Sequence, residues 1–179
     1  MKGIRRTRLV WSRVNSLSAA VVAVLAAMGT LFAHHRSVAA LAEQNRAIIA
    51  QGRAVDSYNA YEAKEIRYTI YQALIAGGVI RDGAALQHVK SVAAGERRSS
   101  PAVLAESEAL AQQAKDSEAR GQTIMRSYET LQIATTFFEI AIVLVSIATL
   151  AEVQYFLPAG VVLSGIGLIF LVTGLLQGH

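Results

Sequence analysis

Three apolar stretches dominate the pattern of hydrophobic and polar positions along the chain. Residues 14–35 contain no Asp, Glu, Lys or Arg, residues 130–151 contain only Glu139, and residues 153–179 contain none. A hydrocarbon layer about 30 Å thick needs roughly 20 apolar helical residues to cross it. The pattern therefore predicts transmembrane helices over 14–34, 131–151 and 159–176.

The long polar segment between the first two spans, residues 35–130, has helical periodicity. From Arg36 to Ala76 no proline occurs, and the only glycine is Gly52. On a helical wheel Leu41, Ile48, Gly52, Val55, Ala63, Ile66, Ile70 and Ala73 share one narrow arc. A stripe this narrow reads as a seam for helix–helix pairing. Tyr58, Tyr61, Tyr68 and Tyr71 occupy a different arc of the same wheel. Gly77-Gly78 is a helix stop. Asp82 caps a short helix over 83–94, Gly95 closes it, and Glu96 to Ser100 reads as a polar loop. Ser100 followed by Pro101 is a start signal for a second long helix. Its seam steps by four and three through Val103, Ser107, Leu110, Ala114, Ser117, Gly121, Ile124, Tyr128 and Leu131. No stop separates this helix from the second span, so the two form one rod, and nothing interrupts the first span before the first hairpin helix. A helix over 36–76 extends roughly 60 Å at about 1.5 Å per residue. The fold class expected is all-α: three transmembrane helices with an extracytoplasmic, coiled-coil-like helical hairpin.

Composition agrees: 53% of the 179 residues are hydrophobic and 17% charged, with two prolines and no cysteine. Lack of cysteine excludes disulfides, thiolate metal sites and cysteine nucleophiles. The net charge of +4 is a local matter. Residues 1–13 carry Lys2, Arg5, Arg6, Arg8 and Arg13 without an acid, whereas residues 36–129 are nearly balanced. A basic tail beside an apolar stretch suits anionic lipid headgroups, and no aromatic–basic stripe points to nucleic acid. By the positive-inside rule, tail 1–13 is cytoplasmic and the first span is a signal anchor. The hairpin is then outside, loop 152–158 inside and the C-terminal end 177–179 outside, periplasmic in a bacterium with two membranes.

Some local sequences carry a resemblance. They are Tyr61-Glu62-Ala63-Lys64-Glu65-Ile66, with Tyr58 three residues before, and Ile140-Ala141-Ile142-Val143-Leu144 with Ser146-Ile147-Ala148. On these and on its layout, the chain resembles an uncharacterised family of bacterial three-pass membrane proteins, classed only as a domain of unknown function. That family usually has glutamine at the position of Glu62 and a basic inner connection, where this chain has Glu152 to Pro158 without a base. The resemblance implies the three-pass fold and no activity.

No P-loop, GxSxG, HExxH or EF-hand pattern occurs, so neither an enzyme nor a cofactor or metal site is expected. His34 and His35 are adjacent and do not share a helix face, which suits interfacial polar residues better than metal ligands. Small residues recur in the spans: Gly160, Ser164, Gly167, Gly174 and Gly178 in the third, Ser16, Ala20, Ala23, Ala27 and Thr30 in the first, and Ala134, Ala141 and Ala148 in the second. In lipid such rows allow close helix packing, within one bundle or between molecules. Glu139 lies with Gln132, Thr135 and Ser146 on a polar stripe opposite the alanines, where a carboxyl needs a partner or a function. A two-helix hairpin cannot bury both the aliphatic stripe and the tyrosine arc, and tyrosines suit recognition surfaces. These features suggest a non-catalytic assembly or accessory subunit, a homo-oligomer or part of a larger membrane complex. The alternatives are a small ion- or proton-conducting protein centred on Glu139 and, third, an extracytoplasmic sensor.

Overall fold

A computed structural model of the chain describes the backbone of residues 2–150 and 155–177, and side chains from residue 16 onward within those ranges. Its elements are α1 (Lys2–Ala76), α2 (Gly83–Leu150) and α3 (Phe156–Leu176), and no strand occurs among the described residues. Each helix contains a window long and apolar enough to cross a bilayer. The side chains of the basic tail, most of the inner connection with Glu152, and Gly178 and His179 lie outside the described residues.

The first span and first hairpin helix are one continuous α1, and the second hairpin helix continues into the second span as α2. Gly78 ends α1 with φ +62°, a conformation that glycine adopts without steric cost. Asp82 caps α2, accepting from the Ala84 amide at 3.1 Å. The expected break at 95–100 is absent. Gly95, Glu96–Ser100 and Pro101 all lie inside α2. Side chains of that segment bridge to α1, so tertiary bonds override the local stop and start signals. Pro158 likewise lies inside the first turn of α3, which begins at Phe156 rather than at 159. A first turn tolerates proline because its N–H groups have no intrahelical partner.

The chain divides into two compact units, Met1–Ala42 with Arg120–His179, and Glu43–Ala119. In the first, α3 packs on α2 through glycines seven residues apart. A Cβ at Gly160 would stand 2.8 Å from Val145 Cγ2, one at Gly167 3.0 Å from Phe138 Cε1, and one at Gly174 2.9 Å from Leu131 Cγ. Leu131, Ala134, Phe138 and Ala141 are completely buried, and Ser127 donates to the Gly174 carbonyl at 2.6 Å. The alanine row of the second span thus faces α3. In the first span the packed row is Val22, Ala26, Gly29 and Ala33, while the expected row of Ser16, Ala20, Ala23, Ala27 and Thr30 is exposed. Gly29 decides this: a Cβ there would meet Thr135 Oγ1 at 2.9 Å, so only that face approaches so closely.

The second unit is an antiparallel hairpin. Ser57 donates to the Val103 carbonyl at 3.1 Å and Lys64 reaches Glu96, so partners retreat along α2 as α1 advances. The α2 seam is as expected, with Ser107, Ala114 and Ser117 buried. The α1 seam is the reverse of expectation. Ala50, Ala54, Ser57, Tyr61, Lys64 and Tyr68 lie on the less exposed side, and the aliphatic stripe lies opposite, with Ile48 69% and Ile66 60% exposed. The physical reason is close approach: small residues on both helices pack tightly, and ion pairs along their rim fix the rotation of α1.

Candidate functional site

Two polar assemblies stand out, one in each unit. In the first, a cavity of about 320 Å³ lies between α1 and α2. Thr30, His34 and Ser37, at steps of four and three, line its α1 side. Tyr128, Gln132, Thr135 and Glu139 line its α2 side, a run of about 16 Å at the helical rise. The Thr30 and Thr135 hydroxyls donate to carbonyls of their own helices at 3.0 Å, which leaves their oxygens as acceptors toward the cavity. Glu139 and His34 have neither a hydrogen bond nor an ion pair among the described residues. The cavity therefore sets a carboxyl and an imidazole in the apolar part of the chain, where each lacks a partner.

Of the polar stripe read from sequence, Gln132, Thr135 and Glu139 come together here. Ser146 does not line it, and its hydroxyl donates to the Ile142 carbonyl at 2.7 Å. The sequence pattern placed Thr30 in a packing row and His34 among interfacial polar residues and did not single out Ser37, although the helical spacing of the three is a readable signal. Gly160, Gly167 and Gly174 serve packing within the chain, and Ser164 is half-buried. Among the described residues, no three His, Asp or Glu side chains converge as metal ligands.

In the hairpin, Glu96 accepts from Arg67 Nε at 2.9 Å and Lys64 Nζ at 3.1 Å. Glu65 accepts from Ser100 at 2.5 Å and Arg97 at 3.3 Å, and the Arg97 guanidinium lies 5.5 Å from the centre of the Tyr68 ring. Tyr61, Tyr68 and Tyr71 are half-buried, and Tyr58 is exposed but 5.9 Å from the Tyr61 ring. Hydrogen bonds from Arg67 and then Lys64 hold the Glu96 carboxyl below its usual range. A depressed folded pKa gives stability that is present above the ordinary carboxylate pKa and lost as pH falls through the folded one. Acid titration of the detergent-extracted protein is thus expected to loosen the hairpin below about pH 4.5. Glu96→Gln should remove this component, read by hydrogen exchange of amides 57–67 and 96–103. An unchanged acid profile in that variant would remove Glu96 from the account.

One protein-family model, described as Domain of unknown function (DUF4337), matches residues 11–177. No curated protein and no solved structure matches the chain.

Proposed function

Because the chain belongs to that family over nearly its whole length, and the family brings no activity with it, we propose from the geometry that it is a non-catalytic assembly subunit of a bacterial inner membrane. In this reading the N-terminus is cytoplasmic and the hairpin lies outside. The observation that carries it is the face of α1 opposite the hairpin seam. Asn45, Ile48, Gly52, Val55, Asn59, Ala63, Ile66, Ile70 and Ala73 follow one another at steps of three and four, and all but Ala63 are exposed. Such a row is a coiled-coil seam, and an asparagine within it fixes register at some cost in stability.

The partner that fits is a second copy. Copies inserted in one membrane share an orientation, so their α1 helices meet in parallel and each asparagine faces its counterpart. Glu62 and Arg67 border the row on opposite sides, so side chains of opposite charge flank it. The native chain has no cysteine, so single-cysteine variants report cleanly. Ile48→Cys and Val55→Cys are expected to form disulfide-linked dimers in intact membranes under mild oxidation, and Lys115→Cys on α2 is not. Monomers from all three would overturn the reading.

A second reading, proton or ion conduction centred on Glu139, is supported by the polar cavity and its unpaired Glu139 and His34. Flux through proteoliposomes that Glu139→Gln abolishes, with cross-linking intact, would favour it.

A further inference from the structure

We propose that the hairpin carries a binding site for a phosphate-type oxyanion attached to an apolar or aromatic body. A cavity of about 410 Å³ lies between the helices there, lined by Tyr68, Gln72 and Ile75 of α1 and by Lys90, Ala94, Arg97 and Arg98 of α2. All seven belong to the hairpin unit. Lys90, Arg97 and Arg98 bring three cations to one cavity, and no acidic side chain lines it.

The neighbouring acids are already committed. Glu96 is held by Lys64 and Arg67, and Glu65 by Ser100 and Arg97. Lys90 and Arg98 have no ion pair or hydrogen bond among the described residues. Like charges brought together in this way repel, and an anion placed among them relieves that repulsion. Arg97 is fixed by Glu65 on one side and the Tyr68 ring on the other, so its remaining donors are oriented in advance. The lining is rich in donors and poor in acceptors. Lys90, Arg97 and Arg98 only donate, and Gln72 adds an amide. The complement is a group with several acceptor oxygens and more than one negative charge, as phosphate has. Tyr68, Ile75 and Ala94 are the apolar and aromatic members of the lining, which suits an organic body attached to that group.

The same chemistry is offered by a lipid headgroup and by a soluble phosphate. The full-length protein in neutral detergent at low ionic strength would be titrated by calorimetry with pyrophosphate, and in parallel with short-chain phosphatidic acid, whose phosphomonoester carries more than one negative charge. Saturable one-to-one binding of at least one probe is expected. Binding of pyrophosphate alone assigns a soluble ligand, and binding of the lipid alone assigns a headgroup. The double variant Lys90→Ala with Arg98→Ala should weaken it at least tenfold, while Arg126→Ala leaves it unchanged. Amide exchange of the hairpin in both variants separates lost binding from lost folding. No saturable binding of either probe to the native protein, or an equal loss in Arg126→Ala, would overturn the site.

Discussion

Gly167→Leu is expected to drive α3 from α2 and lower the melting temperature of the detergent-extracted protein by about 6 °C. Gly165→Leu, two positions away, should lower it by none of this. A Cβ at Gly167 would stand 3.0 and 3.1 Å from two carbons of the Phe138 ring and 3.2 Å from the Ala134 carbonyl oxygen. Phe138 is completely buried and cannot swing aside, and the carbonyl belongs to helix backbone. A Cβ at Gly165 meets nothing within 4 Å. Both substitutions gain about 1 kcal/mol of helix propensity, so their difference isolates the packing. Overpacking a tight core costs about 3 kcal/mol, and a chain of this size loses roughly 2–4 °C per kcal/mol. Within a bilayer the contact would matter more than in a soluble bundle, because lipid offers no hydrophobic drive to hold a helix as apolar as α3 in place. Equal melting temperatures for the two variants would show that α3 does not dock on this face.

The spans were legible because an uncharged stretch of this length has few alternatives, and Gly160, Gly167 and Gly174 announced their contact by repeating every seven residues. The pairing of the hairpin was not legible in the same way. Hydrophobicity favoured the stripe through Ile48, Val55 and Ile66, yet α2 lies against Ala50, Ala54 and Ser57. A hydrophobic stripe shows that something covers it, and the covering element need not belong to the same chain. The bridges from Glu96, Arg97 and Ser100 to Lys64, Arg67 and Glu65 span some thirty residues of sequence. Nothing local distinguishes those polar side chains from a loop. Half of the polar cavity was legible, since Gln132, Thr135 and Glu139 share a stripe. The other half depends on how α1 is rotated, which Gly29 sets.

Pro101→Ala is expected to stabilise the hairpin by about 2 kcal/mol, slowing amide exchange across 96–106 roughly thirtyfold where exchange proceeds through hairpin opening. Inside a helix, proline removes one backbone hydrogen bond, here to the Arg97 carbonyl, and its ring crowds the preceding turn, at a cost of about 3 kcal/mol. Pro101 is exposed, so its ring contributes no packing that alanine would lose. Alanine does free the unfolded chain, which takes back about 0.4–1 kcal/mol. The bonds that hold α2 helical through this segment come from the side chains of Glu96, Arg97 and Ser100, and the substitution leaves all of them in place. The experiment also separates two structures of the hairpin. If a helix began at Ser100 with Pro101 in its first position, as the sequence pattern alone suggests, proline would be favourable there and alanine would leave exchange equal or faster. Slower exchange therefore requires that α2 pass unbroken through Pro101, held by ion pairs that no local signal encodes.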